Sequence, residues 1–163
     1  MKKQGAFTLI EMIAVIVIIG IVVAIGIPAM SGLTRAAGLQ GGARQLANAA
    51  ALTRQFAITH RTVAELRISQ AGFGVFTNGT PGAPVDKWTN LPVGVVVDNG
   101  GGFTSIWFKP TGGLEDSAGR SINYDQSIVV REGATNNAGA VVATNSNFST
   151  ITFNAILGRV SYQ

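Results

Sequence analysis

The feature that most constrains this chain is FTLIEMIAVIVIIGIVVAIGIPAM, Phe7 to Met30, an almost wholly apolar run close to the N-terminus that contains one charge, Glu11. No ionisable side chain occurs from Met12 to Thr34, and Met12 to Ile27 is nearly unbroken Ile, Val, Ala and Gly. At about 1.5 Å rise per residue, about 20 such residues cross the hydrocarbon core of a bilayer. A secretory signal peptide has a shorter apolar core followed by a small-residue cleavage site, whereas this run passes into GIPAMSGLTRAAG with no clean A-x-A at its end. A buried core helix is rarely apolar all round over such a length. The run therefore predicts a membrane-spanning helix over about 7–30. Lys2 and Lys3 precede it, and positive charge stays in the cytoplasm, so the C-terminal bulk is expected on the opposite side.

Glu11 is the odd residue in the run. An ionised carboxylate at the bilayer centre costs about 2.5–3.5 kcal/mol on insertion scales, and such residues are usually partnered and functional. Two readings fit the composition equally: a paired, functional acid, or an acid hydrated near the cytoplasmic interface.

The rest of the chain is ordinary in size and weakly charged. Of 163 residues 47% are hydrophobic and 12% charged, with a formal charge of +4. Two of the 12 basic side chains are Lys2 and Lys3, so the remainder only slightly outnumber the 8 acidic ones, and the charge gives no argument for nucleic acid. There is no cysteine, so a domain facing an oxidising compartment must rely on its apolar core or on neighbours. His60 is the single histidine and reads as a helix-end residue. No nucleophile–base pair, ligand cluster or poised carboxylate pair is present, so no catalytic residue, metal site or cofactor is expected.

Beyond the apolar run, Pro28 predicts a disturbance because it removes an amide hydrogen bond and crowds the preceding turn. Leu39, Ala43, Leu46, Ala47, Ala50, Thr53 and Ala57 then follow steps of three and four, which continues the helix to His60. Gly38, Gly41 and Gly42 weaken its middle, and a soft section is expected between Gly26 and Gly42. Arg35, Arg44, Arg54 and Arg61 form no continuous basic stripe at 3.6 residues per turn.

After His60 the period changes to two. Thr62 to Ser69 alternates, with Ala64, Leu66 and Ile68 on one side and Val63, Glu65 and Arg67 on the other, and Gly72 to Thr77 reads as its hairpin partner. NGTPGAPVDKW is a loop, Leu91 to Asp98 a strand, Asn99 to Gly102 a turn, Phe103 to Lys109 a further β segment and Ser127 to Glu132 another strand. Gly133 to Asn147 reads as a long loop, and Thr150 to Phe153 with Ile156 to Ser161 as a closing hairpin. Trp88 and Trp107 are assigned to core packing.

KKQGAFTLIEMIAVIVIIGIVVAIGIPAM resembles the N-terminus of type IV prepilins and type II secretion prepseudopilins, with a short basic leader, a small residue, FTLIE, and a hydrophobic helix carrying Gly20 and Pro28 as points of flexibility. The resemblance implies that a prepilin peptidase cuts between Ala6 and Phe7 and methylates the new amino group of Phe7, which makes Glu11 the fifth mature residue. The family prefers glycine before the cut, where this chain has Ala6, and a cut between Gly5 and Ala6 would make Glu11 the sixth. The family's aromatic-to-glutamate spacing favours the first. Glu11 would then face the cationic amine of a neighbouring subunit's Phe7 during assembly. In a low dielectric that pair is strong and either partner alone is costly, so the pair sets the register between helices.

F-x-P-x-G at Phe108 to Gly112, SIVVREG at Ser127 to Gly133 and ITFNAILGRV at Ile151 to Val160 resemble the globular domain of the GspH/FimT group of minor pseudopilins and minor pilins. The expected fold is α+β, a long pilin-like N-terminal helix whose C-terminal half packs on a small antiparallel two-sheet β domain. It would be organised as a leader over 1–6, the helix over 7–60 and a periplasmic β domain over 61–163, held in a bacterial inner membrane by a single pass. The FimT members that bind DNA carry G-R-x-R near the C-terminus. Gly158 and Arg159 match, but Ser161 stands in place of the second arginine, so Arg159 is left as a lone candidate DNA contact and nucleic acid is not an expected partner. The resemblance implies a minor pseudopilin of a type II secretion system, with a minor type IV pilin acting in pilus assembly, adhesion or DNA uptake as the alternative. Its partners would be prepilin peptidase, other pseudopilins or pilins, the inner membrane and secreted substrates.

Overall fold

The computed structural model describes residues 8–77, 83–99, 104–135 and 140–162, without the side chains of 25–34 and 144–145. The chain divides into two units, Met1–Arg35 and Ala36–Gln163. One helix, α1, runs from Leu9 to His60. It continues through Pro28 and the glycines that follow, so the softness expected between Gly26 and Gly42 is not a break in the helix. Turns on both sides of Pro28 keep their ladder, and the loss is confined to one donor. Among the described residues no helix is long and apolar enough to cross a membrane. Within the apolar run the described side chains are those of Thr8 to Ala24, all exposed; of the rest of the expected span, Phe7 lies outside the described residues and 25–30 are described by their backbone alone.

In the second unit α1 acquires a buried stripe, Leu39, Ala43, Leu46, Ala50, Thr53 and Ala57, stepping by four and three. Small side chains dominate it, so the strands approach closely: a Cβ at Gly42 would sit 3.0 Å from the Val95 side chain. Buried Thr53 meets its polar obligation inside the helix by donating from Oγ1 to Ala49 O at 2.7 Å. The helix ends in a Schellman arrangement, Thr62 N–H to Ala57 O at 3.1 Å and Arg61 N–H to Ile58 O at 3.4 Å, with Arg61 at φ +51° where glycine is usual. His60, in the last turn, stacks on Phe56 with ring centroids 4.0 Å apart.

Among the described residues nine strands follow: β1 Ala64–Ile68, β2 Gly72–Thr77, β3 Thr89–Asn90, β4 Val95–Asp98, β5 Thr104–Phe108, β6 Leu114–Glu115, β7 Gln126–Thr135, β8 Val141–Phe153 and β9 Val160–Tyr162. They form two antiparallel sheets ordered β3-β2-β1-β5-β6 and β4-β7-β8-β9. Ala64, Leu66 and Ile68 of β1, with Phe73, Val75, Ile106 and Phe108 of its neighbours, form one inner face. Val95, Val97, Ile128, Val130, Ile151 and Phe153 form the other, and both join the helical stripe in a single core. The architecture is α+β, a helix on two antiparallel sheets.

The expected alternation places Glu65 on the outer face of the first sheet, yet it is 1% exposed. Its register neighbours are Phe76 and Trp107, which shield it from both sides. Arg67 satisfies the carboxylate with Nε to Oε1 at 3.0 Å and Nη2 to Oε2 at 2.8 Å, Ser105 Oγ donates to Oε1, and the guanidinium lies 4.4 Å above the Phe76 ring. A buried charge needs this full set of partners.

Several expectations change. The strand expected from Leu91 begins at Val95, because Pro92 to Gly94 make a turn closed by Val95 N–H to Pro92 O at 3.1 Å with Gly94 at φ +82°. Trp88 is not core: it lies exposed over Gly72 and Gly74, whose missing side chains make room for it, while Trp107 is half-buried. Of the loop expected from Gly133 to Asn147, 136–139 lie outside the described residues, while 133–135 and 141–147 are strand, with Gly133, Ala134 and Thr135 of β7 paired to Ala143, Val142 and Val141 of β8 in a hairpin after a register shift at Arg131/Gly133. Past that shift the pairs of β4 with β7, and of β9 with Ile151 to Phe153 of β8, no longer flank the hairpin. Ile156 to Gly158, expected as strand, form a turn closed by Gly158 N–H to Asn154 O at 2.8 Å, with Ile156 and Leu157 exposed and Gly158 buried.

Candidate functional site

The N-terminal candidates lie in the first unit. Ala6 and Phe7, the expected cleavage pair, are outside the described residues. Glu11 is described, and its carboxylate closes a capping box with Thr8: Oε2 accepts Thr8 N–H at 2.8 Å and Thr8 Oγ1–H at 2.9 Å, while Glu11 N–H points to Thr8 Oγ1 at 3.4 Å. Thr8 directly precedes the first helical residue and Glu11 sits three places on, the T-x-x-E spacing by which a helix start satisfies its own free amides. Both bonds fall on one oxygen. Among the described residues Oε1 has no partner. The sequence reading missed Thr8, although T-x-x-E was visible in it. Gly20 faces open space, with nothing within 4 Å of a Cβ placed there, and the side chain of Pro28 is not described.

The second group of candidates lies in the other unit, where two short motifs distant in sequence meet. Phe108 to Gly112 ends β5 and turns: Gly112 N–H donates to Lys109 O at 2.8 Å, Pro110 occupies the position its fixed φ suits, and Gly112 takes φ +89°. Asn154 to Arg159 turns between β8 and β9, with Gly158 at φ +59°. A Cβ on Gly158 would strike Gly112 O, and Cβ atoms on Gly158 and Gly112 would stand 3.0 and 3.2 Å from Arg54 Nε. The two glycines thus wall a slot that holds Arg54, whose Nε donates to Gly112 O at 3.2 Å. Arg159 follows Gly158 and is exposed. Together Arg54 and Arg159 line a cavity of about 550 Å³ with Asn48, Leu157 and Tyr162. The sequence reading weighed Arg54 only for a helical stripe and Arg159 only as a lone contact. The signal that joins them, glycines with positive φ in two turns, shows only once the chain is folded.

Among the described residues there is no group of three or more His, Cys, Asp or Glu able to hold a metal. The carboxylates differ in setting: burial raises the pKa of Glu115, whereas the Arg120 backbone N–H and guanidinium lower that of the neighbouring Asp116. Neither lies in the Arg54 cavity.

Residues 1–27 match the prokaryotic N-terminal methylation motif. A comparison with curated proteins by sequence gives no match. Among solved structures, the fold is similar to the type IV minor pilin FimU of Pseudomonas aeruginosa strain PAO1 in two crystal forms. The first has a TM-score of 0.56 at 13% identity, covering 80% of this chain and 92% of that one. The second has a TM-score of 0.52 at 14% identity, covering 77% and 92%. At these identities the likeness is one of fold. The chain is therefore pilin-like, joining a prokaryotic N-terminal methylation motif to the α+β fold of a type IV minor pilin.

Proposed function

We propose that the chain is a minor pseudopilin of a type II secretion system, a structural, non-enzymatic subunit held in the inner membrane by 7–30 and then drawn into a periplasmic filament. What carries the reading is the union of a methylation motif with the minor-pilin fold in one chain. Prepilin peptidase would cut between Ala6 and Phe7 and methylate Phe7, and the free oxygen of Glu11 would receive the Phe7 amine of a neighbouring subunit. The capping box supports this role, because it holds the carboxylate at the helix start in a fixed rotamer while leaving Oε1 open. A second reading, a minor type IV pilin, is favoured by the type IV minor pilin identity of the solved structures that share the fold.

Deletion of the gene separates the two. Loss of folded exoproteins from the medium with surface pili intact is the outcome expected of a pseudopilin; intact secretion with reduced piliation or transformation transfers the assignment to a type IV pilus. Mass spectrometry of the mature chain should find an N-methylated Phe7, and a terminus at Ala6 would move the cut by one residue. Glu11→Ala should insert and be processed yet stay out of filaments, and normal assembly by this variant refutes the register role.

A further inference from the structure

We propose that the groove holding Arg54 and Arg159 is a docking site for an acidic, partly apolar segment of another protein. The inference goes beyond the choice between secretion and piliation, and it rests on two cations that line one groove and, among the described residues, belong to no ion pair. Arg54 is held in place: its Nε is bonded to Gly112 O, and Gly112 and Gly158 leave only the space its stem occupies. Arg159, fixed to the same turn by Gly158, lines the same cavity. Among the described residues the ion pairs are Arg67–Glu65, Arg120–Asp116 and Arg131–Asp98, and neither groove arginine belongs to one. Among the described residues no carboxylate lines the groove. Asp125 lines a second cleft that Arg159 and Leu157 also line, and its Oδ1 accepts the Ala155 N–H at 3.0 Å.

Two neighbouring guanidinium groups select carboxylates, which match their fork of donors, and the fixed Arg54 loses little freedom when it engages one. The remaining wall sets the rest of the ligand's character. Leu157 is 61% exposed and Ala51 lies across from it on α1, so an apolar side chain flanking the acid finds a contact, while the Asn48 amide and the Tyr162 phenol offer bonds to its backbone. Nucleic acid fits less well. Tracking a phosphate backbone takes a row of cations, but Arg44 lines a different cavity and Arg61 stands past the end of the helix.

The test uses the full-length protein in a zwitterionic detergent and a fluorescein-labelled octapeptide of alternating glutamate and leucine, read by fluorescence anisotropy. The glutamate peptide should bind; the variant Arg159→Gln should weaken its binding by about tenfold, the worth of one charged hydrogen-bonded contact, and the glutamine counterpart, which loses the contact to both arginines, should bind the wild type more weakly still. Arg54→Lys, which keeps the charge but not the fork, should weaken glutamate-peptide binding less, and added salt should weaken it for the wild type more than for Arg159→Gln. Arg159 is exposed, so Arg159→Gln should melt at the wild-type temperature and carries the test even if Arg54→Lys fails to fold. Equal binding of the glutamate and glutamine peptides, or undiminished binding by Arg159→Gln, overturns the proposal. A short duplex DNA that binds more tightly than the glutamate peptide and is lost in Arg159→Gln also overturns it, in favour of nucleic acid.

Discussion

Two stretches of the same helix are built on opposite plans. From Leu9 to Ala24 every described side chain is exposed, among them Ile10, Ile16 and Val22, large and mostly β-branched. From Leu39 to Ala57 one stripe is buried and four of its six members are alanine or threonine, with Gly42 beside it. Helix propensity does not explain the contrast, since the branched stretch is the poorer helix former of the two. The size of the side chain follows the kind of partner. Where the partner is a fixed pair of sheets, bulk would hold the strands off, and small residues let Val95, Leu91 and Pro92 come close. Where no partner belongs to the same unit, large apolar groups offer area to whatever surrounds them, be it acyl chain or other helices.

This contrast can be broken at the second stretch first. Leu46→Ala removes a fully buried side chain of the stripe and should cost about 2–5 kcal/mol. Urea unfolding of the full chain in detergent, followed by the fluorescence of Trp88 and Trp107, would measure it; a loss within experimental error would mean the stripe is not what holds α1 to the sheets. Next comes a pair within one helical turn. Gly41→Ala meets open space and should gain about 1 kcal/mol, whereas Gly42→Ala, 3.0 Å from Val95, should forfeit that gain and lose about 1 kcal/mol net. Equal shifts for the two would show that close approach does not govern the glycines. At the far end Thr8→Ala should cost about 1 kcal/mol, felt as faster amide exchange in the first turn and not as a lower melting point of the β domain. Smallest is Ile16→Ala, expected to change urea unfolding of the domain by less than about 0.5 kcal/mol. A larger effect would mean the first stretch supports the second.

What could be read from the sequence was what repeats locally. The stripe from Leu39 to Ala57 and the alternation of Ala64, Leu66 and Ile68 carry their periods on their face, and the structure buries them as read apart from Ala47, which is only partly buried, while Glu65 is buried as well. The segment from Gly133 to Asn147 did not, because it is rich in Ala, Asn and Gly, which have weak strand preference, and Gly133 to Thr135 are strand here through pairing with Ala143, Val142 and Val141. Ile156 and Leu157 looked like strand through their apolarity, but Gly158 at positive φ turns the chain beneath them. The candidate sites divide in the same way. Glu11 was found from its place in the apolar run, and its tie to Thr8 was available as a three-residue spacing. Arg54 was not, since its anchor, Gly112, stands 58 residues away and no local pattern reports it.

The long hairpin of β7 and β8 has a separate consequence. Past Gly133 no other strand among the described residues pairs with it, so its extent is not tied to the packing of the interior. Strand geometry allows it to grow or shrink by one residue on each arm, because each such step adds or removes a facing pair and keeps the interior residues on their side, while a single unpaired insertion would turn every following side chain over. It is the place to graft an epitope or a cross-linking handle onto this subunit, and the place where related chains can differ in length while sharing everything beneath.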